Sequence, residues 1–245
     1  MSEQAPTART RVRRLPELGV YERERVTAIV DEALYCHLAW IGSDGDPRVI
    51  PTIHARIGDT LYVHGSSASS MLRTVKSGLP VAIAITLVDG IRFARSMFEH
   101  SMNYRTVVVY GTAEEVTDPD ELERVFDTIT DHVAPGRAAE ARRPNPDELR
   151  QTTFIKVPLD EASAKVSEGF PEEPDEDVAL PVWAGILPLR VTTGEPESDP
   201  LNQPGLEVPG YVTGWRRPAR TVSSGTTVST SPSRSRRRRV GYKDP

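Results

Sequence analysis

A stretch in the first third of the chain has the residue types of a phosphate-binding turn. Residues 61–78 read LYVHGSSASSMLRTVKSG, in which an apolar strand pattern leads through a Gly/Ser-rich turn into a helical pattern. Hydroxyls and free backbone N–H groups at a helix N-terminus suit an anion, because that end carries unpaired donors and a partial positive charge. Arg73 and Lys76 could add positive charge. Alternatively, a serine serves only as the helix N-cap and Arg73 belongs to a solvated face.

A second stretch places polar side chains between two apolar strands. Residues 93–111 read FARSMFEHSMNYRTVVVYG, and the reversal between the two strands carries His100. In the strand that follows, Arg105 shares one face with Val107, and Tyr104 lies on the other face. We therefore predict that an arginine is held against the wall of the sheet. An ordinary hairpin tip with solvated side chains is the alternative.

Other chemistries have weaker support. The five histidines are scattered at positions 37, 54, 64, 100 and 132. His54 and His64 flank a predicted hairpin and could approach each other, but a third ligand is missing, so a satisfied pair is favoured over a metal site. Cys36, the single cysteine, lies in an apolar run and is interpreted as a small buried side chain. No GxGxxG, Walker A or GxSxG motif supports a dinucleotide, P-loop or hydrolase function.

The elements that must position these residues follow an antiparallel β pattern. Apolar runs predict strands, whereas 3.6-residue periodicity predicts helices over 21–34 and after Asp118. The apolar run 79–88 indicates a strand that is buried on both faces or lines a barrel, and Asp89-Gly90 indicates a turn into a hairpin partner. The predicted strands are 34–41, 48–57, 61–64, 79–88, 91–98, 103–116 and 152–159. About six antiparallel strands interrupted by one helix predict an α+β fold built on a closed barrel.

Composition divides the 245 residues into three parts. We predict a flexible N-terminal arm over residues 1–20 and a folded domain over 21–215, which is long enough to bury a substantial core. An extension over 170–215 is expected to pack on that domain, since its apolar run 178–189 must be covered. Residues 216–245 are rich in Ser, Thr and Arg without periodicity and predict a disordered basic tail.

Charge and hydropathy argue against two classes of partner. Residues 216–245 carry nine basic and one acidic side chain, so residues 1–215 carry 21 basic and 34 acidic ones. An acidic body of this kind does not favour nucleic-acid binding. The chain has neither an apolar leader nor a run of eighteen apolar residues, so we expect no membrane attachment and a cytoplasmic location.

Several segments together resemble one known family. They are VIPTIHAR (49–56), LYVHGSSASSMLR (61–73), VAIAITLVDGIRFARS (81–96), HSMNYRTVVVYGTA (100–113) and VALPVWAGILPLR (178–190). This combination resembles the pyridoxamine 5′-phosphate oxidase-like FMN-binding split-barrel superfamily, in particular the flavin-nucleotide-binding branch that includes 5-nitroimidazole resistance proteins. The resemblance covers about residues 11–211, and HSMNYR and PVWAG are its most specific parts.

The resemblance implies a mainly β fold with flanking helices, namely a six-stranded antiparallel split β-barrel, and a homodimer with FMN in a groove at the dimer interface. It places the FMN phosphate on the turn and basic residue of the first stretch, the flavin ring along residues 49–52, and the start of the 103–116 strand close to the cofactor. Arg105 could also reach the phosphate. The implied cofactor-binding residues are Val49, Ile50, Pro51, Thr52, His64, Gly65, Ser66, Ser69, Arg73, Asn103, Tyr104, Arg105 and Thr106.

By the same resemblance, the chain is an FMN-dependent oxidoreductase that passes electrons from a small-molecule donor to a small acceptor, with the redox chemistry residing in the cofactor. His100 and Tyr104 are candidates for proton delivery, on their placement alone. A non-catalytic flavin-binding or sensor protein would use the same pocket. Some split barrels bind haem or a deazaflavin instead, with His54 or His64 as a haem ligand. The substrate is not predicted.

Overall fold

Antiparallel strands are the main regular elements of the computed structural model, which describes residues 6–66 and 77–217. The described strands are β1 Gly19–Val20, β2 Cys36–Ile41, β3 Pro47–Thr52, β4 His54–Ile57, β5 Thr60–Ser66, β6 Ser77–Phe93, β7 Ser101–Glu115, β8 Thr152–Pro158, β9 Glu161–Ser167 and β10 Gly185–Pro188. The described α-helices are α1 Arg23–Glu32, α2 Pro119–Val133, α3 Pro146–Gln151, α4 Asp175–Val178 and α5 Gly210–Thr213. Short 3-10 turns lie at Pro16–Leu18 and Arg137–Ala139.

The strands form a sheet that curls until its two ends meet. The main path is β3-β2-β6-β7-β8-β5-β4, with β9 joined to β7 and β1, and β10 joined to β6. Because β3 and β4 are consecutive and separated only by Ile53, they act as one bent strand that belongs to both ends of the path. The Thr52 hydroxyl donates to the His64 carbonyl at 3.3 Å across this junction. With β3 and β4 counted together, the path has six strands, which confirms the predicted six-stranded antiparallel split barrel.

The barrel interior holds the main core. Leu38, Leu61, Val63, Ile83 and Ile155 are among its fully buried members. Cys36 also lies in this core, and burial raises the pKa of its thiol to about 12, as expected for a small apolar side chain rather than a nucleophile.

A second, smaller core lies outside the barrel, where α2 covers β4, β5 and β8. Val125 and Ile129 of α2 are buried there with Phe154 of β8. The helix starts as the sequence predicts, because Asp118 is the N-cap and its carboxylate accepts from the Glu121 N–H at 2.7 Å, with Pro119 at the first helical position. The aromatic pair Phe126 and Phe154 packs edge to face at 4.6 Å between ring centroids.

The predicted turn at Asp89-Gly90 is wrong. Strand β6 continues through these residues to Phe93 with a register shift between Val88 and Gly90, and the chain reverses only over residues 94–100. A bulge bends a strand without ending it. Gly90 is needed at this bulge because β10 pairs directly across from it: a Cβ at Gly90 would lie 3.1 Å from the Leu187 carbonyl oxygen. Asp89-Gly90 is therefore the place where the backbones of β6 and β10 approach each other closely.

Two further expectations need correction. Of the two alternatives for the 79–88 run, burial on both faces is wrong and lining the barrel is confirmed, since Val81, Ile83, Ile85 and Leu87 are buried in the barrel core while Thr86 and Val88 on the opposite face are exposed. Strand β9 was not predicted, because EASAKVS contains small residues of weak strand propensity. Those small residues fit there because β9 pairs with β7 on one side and with β1 on the other.

The last turn of α1 receives side chains from four other parts of the fold. A helix leaves its final carbonyl groups without intrahelical partners, and α1 lacks a C-terminal glycine, since Ala33 follows in extended conformation. Nε2 of His54 lies 2.9 Å from the Val30 carbonyl oxygen, and Nε2 of His132 lies 2.7 Å from the Ala33 carbonyl oxygen.

The carboxylates of the same turn are bound as well. Arg56 of β4 donates to both oxygens of Asp31, with Nε 2.8 Å from Oδ1. Glu32 receives Arg105 of β7 and lies 3.4 Å from Arg217 near the C-terminal end of the described chain. Cations at a helix C-terminus also complement its partial negative charge. This α1 terminus, residues 30–33, therefore joins β4, β7, α2 and the C-terminal extension.

We expect His54 to make the fold sensitive to acid. His54 is fully buried, and burial lowers its pKa from the ordinary 6.5 to about 4. Below pH 6.5 His54 is protonated in the unfolded chain but stays neutral in the native state. The His54 contribution to the free energy of unfolding is therefore fully present above pH 6.5 and is lost as the pH falls toward 4. The His54 contribution is on the order of 2–3 kcal/mol.

The measurement is urea unfolding at pH 7 and pH 4 for the wild type and His54→Gln, whose amide can still donate to the Val30 carbonyl. The variant should lose less stability on acidification than the wild type. His37→Gln, at an exposed position on β2, controls for the removal of a histidine as such. Identical pH dependence in wild type and His54→Gln would contradict this account.

We also expect Arg105 to be a major contributor to stability. Its loss would leave the Glu32 and Asp89 carboxylates buried without their main partner, so Arg105→Met should cost about 3–5 kcal/mol in the free energy of unfolding. Arg142, which pairs with Glu148 in solvent at 70% and 41% side-chain exposure, is the matched control, and Arg142→Met should cost far less, because a solvent-exposed ion pair contributes little to stability. If Arg105→Met does not fold, Arg105→Lys, which keeps the charge without the guanidinium fork, should give an intermediate loss. Equal losses at positions 105 and 142 would refute this role.

Candidate functional site

The predicted phosphate turn is described only at its start. His64, Gly65 and Ser66 end β5 and pair with Phe154, Thr153 and Thr152 of β8, so the strand extends to the first serine. Ser69 and Arg73 lie outside the described residues. The structure therefore shows that the chain enters the predicted turn from the end of β5, beside Thr152 of β8.

Strand β3, predicted to lie along the flavin ring, forms one end of the sheet path and pairs with β2. Val49 is 64% exposed and Pro51 is also exposed, whereas Ile50 is half-buried against the barrel core. The bond between the Thr52 hydroxyl and the His64 carbonyl brings β3 next to the end of β5. Two segments that the sequence assigned to one cofactor are therefore neighbours, although twelve residues separate Thr52 from His64.

The third predicted segment, residues 103–106 of β7, has the alternation that the sequence predicts. Asn103 and Arg105 are buried on the face shared with Val107 and Val109, and Tyr104 and Thr106 are half-buried on the other face. The Thr106 hydroxyl donates to the Ile85 carbonyl at 2.9 Å. Oδ1 of Asn103 is buried and has no hydrogen-bond partner among the described residues.

Within one chain, β7 is not a direct neighbour of the other two segments in the sheet. Strands β2 and β6 lie between β3 and β7 on one side, and β8 lies between β7 and β5 on the other. The pairing of β7 with β8 is at Glu114 and Glu115, at the opposite end of β7 from residues 103–106. The single chain thus presents one part of the predicted site at the β3/β5 junction and another part on β7.

Arg105 is already bound by two carboxylates. Its Nε and Nη2 each lie 2.7 Å from an oxygen of Asp89, and its Nη1 and Nη2 donate to Glu32. Burial disfavours the charged guanidinium, but the hydrogen bonds from Asp89 and Glu32 outweigh it and raise the pKa of Arg105 further. Because all three guanidinium nitrogens are engaged, Arg105 could reach a phosphate only by giving up one of these carboxylates.

His100 and Tyr104 lie at the start of the second arm of the β6/β7 hairpin. His100 is exposed, with Nδ1 2.8 Å from the Ser96 carbonyl oxygen and its ring 6.1 Å from that of Phe93. Tyr104 is cross-strand from Val88 and from Ser167. Both side chains are therefore held by hairpin and sheet geometry.

The C-terminal extension packs on this hairpin. Strand β10 pairs with β6 from Gly90 to Phe93, and the Trp183 ring lies 5.8 Å from the Phe93 ring. Arg95 Nη1 is 2.7 Å from a carboxylate oxygen of Glu173. The apolar run 178–189 thus covers the hairpin base, while Trp183 remains 69% exposed.

The structure separates the two candidate histidines. His54 is cross-strand from Val63, so His64, the next residue, points to the opposite face, and the expectation that the two approach each other is wrong. The ring that contacts His54 belongs to His132, with centroids 5.0 Å apart.

His64 is half-buried and packs against Phe154 at 5.7 Å between ring centroids. Its Nδ1 has no hydrogen-bond partner among the described residues, and burial lowers its pKa, so the ring is neutral near pH 7. Among residues 6–66 and 77–217, no group of three or more His, Cys, Asp or Glu side chains is arranged to hold a metal ion.

Residues that sequence reasoning missed are the partners of Arg105. Glu32 falls at the end of the apolar stripe of α1, three residues after Ile29, and an acid at such a position was a usable signal of a buried ion pair. The sequence predicts a turn at Asp89, because no local signal distinguishes an Asp-Gly pair in a turn from one at a bulge. Arg217 lies inside the basic tail that composition assigned to disorder.

Similarity to known proteins agrees with this architecture. The family model described as pyridoxamine 5′-phosphate oxidase matches residues 22–166. Among curated protein sequences, none matches this chain significantly. No helix among the described residues is both long and apolar enough to cross a membrane.

Several solved structures are similar to the chain. The flavocytochrome Anf3 from Azotobacter vinelandii is 33% identical with a TM-score of 0.81, over 87% of this chain and 99% of that one. The FAD and heme binding protein from Mycobacterium smegmatis is 37% identical with a TM-score of 0.76, over 80% of this chain and 96% of that one.

A third structure, described as a candidate 5-nitroimidazole antibiotic resistance protein from Bacteroides thetaiotaomicron, is 22% identical with a TM-score of 0.52, over 60% and 86% of the two chains, and it shows the fold alone. The match to the family model covers more than half of the chain and coincides with the strands of the barrel. The chain therefore belongs to the pyridoxamine 5′-phosphate oxidase family, with the split-barrel fold that its motifs predict.

Proposed function

We propose that the protein is a flavin-dependent oxidoreductase that passes electrons from a reduced small-molecule donor to a small acceptor. The observation that carries the proposal is the contact between Thr52 and His64, which joins the two segments assigned to the flavin. Relatives at 33% and 37% identity are a flavocytochrome and an FAD and heme binding protein, which supports a bound flavin. A bound flavin supplies hydride or single-electron transfer, and the protein supplies binding and orientation.

The residues of the described chain fit a flavin. Strand β3 offers an exposed surface at Val49 and Pro51 on an end strand of the sheet, where backbone N–H and C=O groups can meet the polar edge of a ring system. The chain enters the Gly/Ser-rich turn directly from β5, so a phosphate held by Ser66, Ser69 and Arg73 would lie beside β3. FMN, with a single phosphate, is the first candidate, and FAD is the second because one relative is described as binding it.

A two-fold homodimer would complete the site. The β3/β5 junction and residues 103–106 of β7 are not on neighbouring strands in the sheet of one chain. A groove between two protomers can combine the β3/β5 junction of one with β7 of the other. Exposed apolar side chains at the hairpin tip, Met97 at 96% and Phe98 at 90%, together with Trp183, favour such an association.

In this arrangement His100 and Tyr104 act on the proton that accompanies electron transfer. His100 is exposed at the hairpin tip and Tyr104 presents its phenol on the outer face of β7, so both can approach a substrate above a flavin. A protein that only binds or senses flavin would close this space with the 178–189 segment. The exposure of Trp183 and His100 favours the enzyme.

A second candidate function is electron transfer through haem as well as flavin. It is favoured by the haem named for one relative and by the unpartnered Nδ1 of His64. A neutral imidazole is the form that ligates iron. Nδ1 of His54 also has no partner among the described residues, but His54 is unsuited because it is fully buried and its Nε2 is bonded to the Val30 carbonyl.

The flavin proposal is tested by the visible spectrum of the purified protein and by its response to donors without oxygen. We expect a flavin spectrum that NADH, NADPH or a reduced deazaflavin bleaches and that an electron acceptor restores. Tyr104→Phe should slow one half-reaction by roughly 10²-fold if the phenol delivers a proton. Tyr110→Phe, on the same face of β7 and also half-buried, is the matched control and should react like the wild type.

A protein that takes up no flavin would refute the proposal. A flavin that stays oxidised with every donor would leave the binding protein as the function. Mass spectrometry of the released cofactor separates FMN from FAD. Light scattering that shows a flavin-loaded monomer at micromolar concentration would contradict the proposed homodimer.

The haem candidate has a separate test. On addition of haem, the wild type and His54→Gln should develop the sharp near-ultraviolet band of a histidine-ligated haem, whereas His64→Gln should not, because His64 is the proposed ligand. The His54→Gln protein should retain the flavin content of the wild type. A haem band of equal strength in His64→Gln would exclude His64 as the ligand.

A further inference from the structure

The hairpin reversal over residues 94–100, which carries His100, is bound by a carboxylate of the C-terminal extension. Glu173 lies just before α4, and its side chain is only 2% exposed. Its carboxylate accepts from the Arg95 backbone N–H and, at 2.7 Å, from Nη1 of the same arginine. Burial disfavours the charged carboxylate, but these hydrogen bonds and one from the Ser96 N–H outweigh it and lower the pKa of Glu173. A charged Glu173 therefore holds the first residues of the reversal.

The next hydrogen bond along the reversal orients the imidazole of His100. Nδ1 of His100 lies 2.8 Å from the Ser96 carbonyl oxygen. A carbonyl oxygen can only accept a hydrogen bond, so Nδ1 carries a proton in the neutral ring as well as in the charged one. Nε2 makes no hydrogen bond within the described chain, and His100 is exposed. Nε2 is therefore the nitrogen that can gain or lose a proton.

Aromatic packing supports the same imidazole from the extension. The Phe93 ring meets the His100 ring edge to face, with 6.1 Å between centroids and 79° between the planes. The Trp183 ring lies 5.8 Å from Phe93 and folds over Gly185, where a Cβ would lie 2.7 Å from the indole. The glycine thus lets the indole pack on its own strand and against Phe93. The extension therefore reaches His100 along two routes, through Phe93 and through Ser96.

We propose that Glu173 is a positioning residue for His100. By holding the backbone at Arg95 and Ser96, it keeps one proton on Nδ1 and leaves Nε2 as the atom that delivers a proton to the substrate. In that step the Nε2–H bond of the charged ring breaks, the proton passes to the acceptor, and the electron pair stays on Nε2. An acid or base whose ring is oriented by another group is typical of catalytic histidines. The proposal rests on the proposed oxidoreductase function, in which His100 acts on the proton that accompanies electron transfer.

The first test is NMR of the imidazole nitrogens of the full chain at about pH 8.5, where an exposed imidazole is neutral. The His100 signals are assigned by their loss in His100→Gln. We expect the Nδ1–H tautomer in the wild type and a shift toward the Nε2–H tautomer in Glu173→Ala, because the Ser96 carbonyl is then no longer held in place. Glu172→Ala removes the neighbouring exposed acid and should leave the tautomer unchanged.

The second test compares the rates of the half-reaction in which the acceptor is reduced. Glu173→Ala should slow it roughly tenfold, and His100→Gln should slow it at least as much. The double variant should be no slower than His100→Gln alone, because Glu173 acts through His100. If Glu173→Ala does not fold, Glu173→Gln, which keeps one acceptor oxygen, takes its place in both tests with a smaller effect of the same sign.

An Nε2–H ring in the wild type, or a tautomer that the Glu173 variants leave unchanged, would overturn the proposal. Rate losses that multiply in the double variant would also overturn it, because Glu173 would then act independently of His100. A chain that takes up no flavin would remove the oxidoreductase proposal, but the tautomer can be measured without turnover. The two failures are therefore distinguishable.

Discussion

Much of the structure depends on the hydrogen bonds and ion pairs that other elements make to the carbonyl and carboxylate groups of the α1 terminus. A helix that ends against a barrel wall buries carbonyl groups that its own backbone cannot satisfy, and unsatisfied buried polar groups are costly. Here His54 and His132 bind two of those carbonyls, and Arg56 and Arg105 bind the adjacent carboxylates. Each partner comes from a distant part of the chain. The polar groups of the α1 terminus are therefore satisfied by residues of the barrel and of α2.

This arrangement reaches the candidate site through Arg105. The arginine joins Glu32 of α1 to Asp89 at the bulge of β6, and it does so from β7. The same bulge lets β10 approach β6 at Gly90, and the Leu189 N–H donates to the Asp89 carbonyl at 3.0 Å. The hairpin that carries His100 and Tyr104 is therefore anchored at its base on both sides. In a flavoenzyme the protein contributes position and electrostatics, so the rigidity of this base bears directly on function.

The C-terminal extension contributes at two separate places. Near its start it adds β10 and Trp183 to the hairpin, and near its end it brings Tyr211, Trp215 and Arg217 to the helices α1 and α2. The two similar structures with identity above 30% cover at least 80% of this chain, a span that the 22–166 match of the family model does not reach.

Local pattern was sufficient for most of the elements. Alternation along 103–109 determined which face Arg105 occupies, and Asp118-Pro119 determined where α2 begins, because each of these depends on neighbouring residues alone. The split barrel was predicted from the resemblance of the motifs between 49 and 190 to a known family. Tertiary structure decided the rest. Asp89-Gly90 forms a bulge instead of a turn because Arg105 binds Asp89 and β10 pairs with β6 at Gly90. Residues 161–167 form β9, despite their weak strand propensity, because their backbone pairs with β7 on one side and with β1 on the other. The ring of His54 contacts His132 and not His64, because His64 is adjacent to the cross-strand partner of His54 and adjacent residues of a strand face opposite ways. The partner of a buried side chain depends on which elements pack together. That packing relates distant residues, so no local sequence pattern contains it.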